Sequence, residues 1–357
     1  MEEQPSIREK RKDEHVRLAL NTNQTQPSDF DALYLVHRSL PELDKEEVDL
    51  RTRLGNLTLA YPIYINAMTG GSEKTGAINA ALAEAAKETG IAMAVGSQHS
   101  GLRNEKVADT YRIVRKKNSN GVIFGNVGAD APVDYALRAI DMLEADALQI
   151  HLNVPQEVVM PEGDRHFSGM LKKIETIIKK TSIPVIIKET GFGMCRETLE
   201  QLKTCGVLFV DVGGGGGTNF VHIENERREK RDYSYLKGWG QSTPISLLEA
   251  QPFLKDMTIM ASGGIRNPLD AVKSMALGAS AAGVAGAFLR VLDKYGTEGL
   301  VEEMNAWKEH LRMIFLMQGA RSLEHIAKCP IIVTKNVREW CDLRGLDAGL
   351  LASRSLN

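Results

Sequence analysis

PVIIKE, residues 184–189, is an apolar run of β-branched residues that ends in a lysine and a glutamate. Consecutive apolar positions without in–out alternation mark a strand buried on both faces, the habit of parallel sheets. Working outward, the same pattern recurs in PIYINAM from Pro62, AMAVGS from Ala92, VIFGNVG from Val122, ALQIHLN from Ala147, LFVDVGG from Leu208, TIMASGG from Thr258 and AAGVAGAFL from Ala281. Between these eight runs lie stretches of helical period such as INAALAEAAKETG, ending at Gly90, and VDYALRAIDMLEAD. Eight strand–helix alternations with right-handed crossovers return the last strand to the first. They predict an α/β fold, a (β/α)₈ barrel with an N-terminal extension and a C-terminal helical segment.

The 357 residues then divide as one catalytic domain: an extension over 1–60, barrel strands over 61–290, and a final helix with a C-terminal tail over 291–357. Each run ends in small or polar residues, so chemistry is expected at the carboxyl ends of the strands, where barrel enzymes keep it. The loop ENERREKRDYSYLKGWGQST, residues 224–243, is long and charged for a strand-to-helix connection. It is either a solvated insertion or a lid over that face.

Lys and Arg number 44 against 46 Asp and Glu. This balance gives no general field for nucleic acid or membrane, and any anion must be held locally. The cysteines at 195, 205, 329 and 341 form no CxxC pair, which argues against structural zinc or a disulfide-stapled fold and fits a reducing cytosol. The charged opening MEEQPSIREKRKDEH contains no apolar run of signal-peptide length, and no span elsewhere suits a membrane helix. A cytoplasmic protein is expected.

ASGGIR, residues 261–266, and the Ala285-Gly286 pair sit where barrel loops seven and eight cradle a phosphate on backbone N–H groups and a helix start. Such a phosphate can belong to FMN, a sugar phosphate or a nucleotide. Lys188 ends strand five, where it can stabilise an anionic reduced flavin or pair with a carboxylate at the rim. The five glycines within DVGGGGGTNF, residues 211–220, suggest backbone packed against a ligand. RKDEH, residues 11–15, and HLNVPQE, residues 151–157, offer charge-assisted donors for a second anion. Glu157 is a carboxylate of the kind that holds magnesium beside a diphosphate.

RKDEH, NAMTGG (66–71), VGSQ (95–98), HLNVPQE followed by MPEGDR (160–165), IKETGFGM (187–194), DVGGGGGTNF, IENERR (223–228), Trp239-Gly240 and ASGGIR occur in one order. Together they closely resemble the FMN-dependent, type 2 isopentenyl-diphosphate isomerase family. The resemblance implies an FMN site of Ala67, Met68, Thr69, Ser97, Asn126, Lys188, Thr218, Gly263, Gly264, Arg266, Ala285 and Gly286. It implies substrate contacts from Arg11, Lys12, Ser97, His99, His151, Asn153 and Gln156, magnesium on Glu157, and chemistry at Gln156, Glu224 and Lys188. His99 stands where some relatives carry arginine. NADPH as flavin reductant, isopentenyl and dimethylallyl diphosphate as partners, and a homotetramer or homo-octamer also follow from the resemblance. A 2-hydroxy-acid oxidase would want an HGGRQ-like segment after strand seven, which is missing. A non-catalytic phosphate-binding barrel would not need Lys188, Gln156, Glu157 and Glu224 together.

Overall fold

The computed structural model describes residues 7–20 and 28–355, with side chains on the first helix from residue 12 onward except residue 19. Eight parallel strands close into a barrel in chain order: β1 (Ile63–Ile65), β2 (Ala92–Ala94), β3 (Ile123–Gly128), β4 (Ala147–Leu152), β5 (Val185–Glu189), β6 (Phe209–Asp211), β7 (Thr258–Ser262) and β8 (Ala282–Val284). All eight apolar runs are strands. Register places Gly128 opposite His151, His151 opposite Lys188, and Lys188 opposite Asp211, so polar side chains share one level near the carboxyl ends.

One level down the interior is apolar. Tyr64, Phe124, Ala147, Ile186, Met260 and Ala281 pack there with Leu54 and Leu59 from an antiparallel hairpin of residues 52–54 and 57–59. The hairpin closes the amino end of the barrel, and Gly55 makes its turn possible with φ of 62°. Leu54 is fully buried, so Leu54→Ala is expected to destabilise by about 2–5 kcal/mol.

Helix α1 (Ile7–Leu20) lies over the opposite, carboxyl end. Helix α2 (Glu73–Thr89) starts on a Ser72–Thr75 capping box and stops at left-handed Gly90. Helix α3 (Val133–Leu143) ends earlier than its sequence period suggests. Glu144 turns left-handed with φ of 47°, and its N–H closes on the carbonyls of Ile140 and Asp141.

The segment expected as final helix and tail is folded throughout its described length. A helix over Gly286–Met317 breaks at Gly296, and residues 331–333 then pair antiparallel with residues 33–35. Trp340 and Arg344 both donate to Glu249 Oε1, at 2.9 and 2.8 Å. These contacts tie the C-terminal segment to the barrel. All four cysteines are free thiols, and among the described residues no helix is long and apolar enough to cross a membrane.

Candidate active site

A cavity of about 1290 Å³ opens at the carboxyl ends of the strands. It is lined by Lys12, Ala67, Met68, Ser97, His99, Asn126, His151, Asn153, Gln156, Glu157, Lys188, Thr218, Gly263, Gly264, Arg266, Ala285 and Gly286. Thr69 lies just behind the wall, 1% exposed, and Glu224 is wholly buried beside Gln156. The side chain of Arg11 lies outside the described residues.

Lys188 pairs with a carboxylate, one of the two roles its position allowed. It faces the cavity, and its Nζ donates to Ser262 Oγ at 3.0 Å and to the Glu189 carbonyl at 3.0 Å, with Asp211 Oδ2 at 3.3 Å. Asp211 is fully buried and accepts from Tyr64 Oη at 2.5 Å, Ser262 Oγ at 2.8 and 2.9 Å, and the Gly213 N–H at 3.1 Å. Burial and the Asp211 charge push the Tyr64 hydroxyl well above its ordinary pKa. The phenol therefore remains a donor, and the lysine charge stays balanced in a dry setting.

His151 projects from the next strand, its Nδ1 2.8 Å from Asn126 Oδ1. Burial lowers its pKa to about 3, aided by the charges of His99, Lys12 and Lys188 and opposed by the Val127 carbonyl. The ring is neutral at pH 7. Asn153 caps the short helix α4 (Val154–Val159), which carries Gln156 and Glu157. Glu157 Oε1 accepts from Asn153 Nδ2 at 2.9 Å, while Oε2 accepts from the Asp164 N–H at 2.9 Å.

The connection after β6 forms helix α5 (Phe220–Glu226) where it enters the charged loop, and this helix turns Glu224 inward. Glu224 Oε1 accepts from Gln156 Nε2 at 2.8 Å and lies 3.0 Å from His15 Nε2, and Arg227 donates to Oε2. Burial alone raises this carboxyl, but His15, Gln156 and Arg227 outweigh it and hold the pKa at about 2. Arg227 also meets Glu14 at 3.2 Å and Glu162 at 3.0 Å, fastening α1 and the β4 loop over the mouth. Thus the insertion covers the site.

Strand ends six to eight contribute backbone instead. Gly263 and Gly264 have φ of 91° and 71°. A Cβ on Gly263 would overlap the Gly214 carbonyl oxygen, and one on Gly264 would lie 3.0 Å from the Gly216 carbonyl carbon. The run of five glycines therefore packs against neighbouring backbone as well as lining the cavity. Arg266 lines the rim with its guanidinium engaged by Asp31 at 2.6 Å and Asp270 at 2.8 Å.

Sequence reasoning missed His15, Arg227, Asp211 and Arg290. Arg290 follows Gly286 by one helical turn, lines the cavity, and has a buried Nη2 without a hydrogen-bond partner among the described residues. Burial depresses its pKa. The Thr69 Oγ1 is likewise buried without a partner. A flat heteroaromatic ring with a phosphate tail fits these features: unmet donors, a lysine on the wall and two glycine loops.

The FMN-dependent dehydrogenase family matches residues 142–332. Among solved structures, mandelate oxidase with (S)-2-phenylpropionate aligns with a TM-score of 0.65 at 18% identity, over 90% of each chain, which is a likeness of fold. An isopentenyl-diphosphate delta-isomerase of Staphylococcus epidermidis is 51% identical over 96% of this chain and 98% of its own length. Its counterpart from Staphylococcus aureus is 49% identical over 95% and 97%. With this identity across nearly its whole length, and an FMN-dependent barrel around the site, the chain belongs to the type 2 isopentenyl-diphosphate delta-isomerase family.

Proposed function

We propose that the cavity interconverts isopentenyl and dimethylallyl diphosphate with reduced FMN and magnesium, without net redox change. The observation that carries the reading is Glu224, buried behind the cavity wall yet kept ionised beside the wall residue Gln156. An unactivated alkene has no carbonyl to stabilise a carbanion, so protonation at the terminal CH₂ leads and proton loss from C2 follows. The intermediate charge is positive. Three donors occupy Glu224, two on Oε1 and one on Oε2, and Oε2 keeps capacity to accept. A carboxylate with a pKa of about 2 is a proton acceptor and an electrostatic partner for a cation, not an acid at pH 7.

Reduced FMN, when bound, supplies an electron-rich ring and an exchangeable N5 proton. The chain would hold it through Ala67, Met68, Thr69, Ser97, Asn126, Lys188, Thr218, the Gly263-Gly264 turn, Arg266 and the Ala285-Gly286 pair. Lys188 would keep positive charge beside the ring. Lys12, His99, His151, Asn153 and Gln156 would face the diphosphate, with Arg11 as a further cation. Glu157 would take magnesium together with phosphate oxygens and water, since hard oxygen donors suit that ion. Among the described residues no three His, Cys, Asp or Glu side chains gather into a separate metal cage. Helices α1 and α5 would exclude water from the cation.

NADPH as the reductant that primes the flavin, a homotetramer or homo-octamer, and a cytoplasmic location belong to the same proposal. The test is conversion of isopentenyl to dimethylallyl diphosphate with FMN and magnesium, with and without prior reduction. Conversion only after reduction, without stoichiometric NADPH consumption, supports it. No conversion by enzyme carrying reduced FMN would sink it.

A further inference from the structure

Gln149 lies on β4 one level below His151, wholly buried and away from the cavity wall. Its Oε1 accepts from Asn126 Nδ2 at 3.1 Å, and Asn126 Oδ1 lies 2.8 Å from His151 Nδ1. Three side chains thus form one hydrogen-bonded row running from the dry interior to the mouth. In this order His151 carries its proton on Nδ1. Gln149 Nε2 is then a buried donor with no partner among the described residues.

The two amides can each turn by half a rotation with almost no change in shape, because their oxygen and nitrogen are nearly isosteric. Gln149 Nε2 then donates to Asn126 Oδ1, and Asn126 Nδ2 donates to His151 Nδ1. His151 must now carry its proton on Nε2. One proton leaves Nδ1 and one is taken up at Nε2, so charge is unchanged. The group left without a partner becomes the Gln149 carbonyl, which buried sites tolerate better than an orphan N–H.

The difference decides what the neutral ring offers an anion. Nδ1 meets Asn126 while the Val127 carbonyl also engages the ring, so a proton on Nε2, the nitrogen left for the cavity, requires the Asn126 amide to outweigh that carbonyl. With the proton on Nδ1, Nε2 presents a lone pair towards phosphate oxygens, a repulsive pairing. With the order reversed, it presents a hydrogen.

We infer that Gln149 is a positioning residue: through Asn126 it sets the tautomer of His151, so that the diphosphate meets an Nε2–H donor. This rests on the diphosphate site proposed above. It concerns a residue that touches neither substrate nor flavin, acting only through the proton order of its neighbours.

The test uses FMN-loaded enzyme labelled with ¹⁵N-histidine, with magnesium and inorganic pyrophosphate as the probe. The His151 signals are assigned by their loss in His151→Gln, and long-range proton–nitrogen correlations report which ring nitrogen is protonated. Nε2–H in the pyrophosphate complex is the expected result. Nδ1–H in a complex that does form overturns the inference and leaves the diphosphate site standing. If pyrophosphate leaves the His151 signals unmoved, both fail. Gln149→Leu should return a mixture of tautomers and raise KM by roughly tenfold, the worth of one hydrogen bond to a charged group, with a smaller fall in kcat. An unchanged tautomer and KM in that variant would remove Gln149 from the role.

Discussion

From β3 to β5, and in helix α5 after β6, the site is built of side chains, several of which reach their partners over long sequence distances. From β6 to β8 the strand ends present mainly glycine backbone. His151, Lys188 and Glu224 are held by Asn126, Asp211 and Arg227, whereas Gly263 and Gly264 need only the space left by Gly214 and Gly216. A side chain can place a charge and change its pKa; a glycine loop can only approach closely and point N–H groups. The side-chain half therefore suits chemistry, and the glycine half suits close approach to a cofactor's phosphate.

Glu224→Gln is the sharpest way to break this comparison. Turnover should fall by about 10²–10⁴, the usual weight of a positioned acid–base group, with FMN content unchanged. Near-normal turnover at equal flavin occupancy would mean that the side-chain half binds without reacting. Gly263→Ala attacks the other half. The left-handed backbone disfavours a side chain by about 1–3 kcal/mol before the overlap with Gly214 is counted. The purified variant should melt lower and lose most of its FMN, as absorbance at purification would show; full retention would refute a backbone cradle.

The next effect is one of pH. His151 has a folded pKa of about 3 against an ordinary 6.5, so the unfolded chain binds more protons between those values. Stability from this group is complete above pH 6.5 and is lost as pH falls towards 3. Between pH 6.5 and 5 the ligand-free protein should lose up to about 2 kcal/mol from this source, and urea titrations of His151→Gln should lack that slope. Equal slopes would show that the ring is solvated. The smallest effect is that of Arg290→Met, which should weaken FMN binding by about tenfold while leaving the melting temperature unchanged or raised. Unaltered FMN affinity would leave phosphate holding to the backbone alone.

The barrel was legible because a strand buried on both faces writes itself as a local apolar run, and all eight such runs are strands. The glycines that end strands six to eight were legible as residues, but the packing of Gly263 and Gly264 on Gly214 and Gly216, about fifty positions earlier, was not. Lys188, Gln156 and Glu157 could be named from strand-end position and resemblance, but their partners could not. Nothing local links Tyr64 to Asp211 or His15 to Glu224, because those pairings exist only once the barrel closes. Arg290 had a weak signal, a cation one turn after Gly286 at the start of the helix that follows strand eight. The end of α3 also escaped, since a glutamate in left-handed backbone leaves no compositional mark.

The antiparallel pairing of residues 33–35 with residues 331–333 carries a consequence for how the chain is made. Those partners are about three hundred positions apart, and at ribosomal speeds of about 5–20 residues per second the early segment waits roughly 15–60 s for its mate. Until then its edge is unpaired, and α1 has no Arg227 to dock on until β6 has also been synthesised. A nascent chain can therefore begin its barrel strands while its mouth stays open. Catalytic competence arrives late in synthesis, after the first-made segment has found the last.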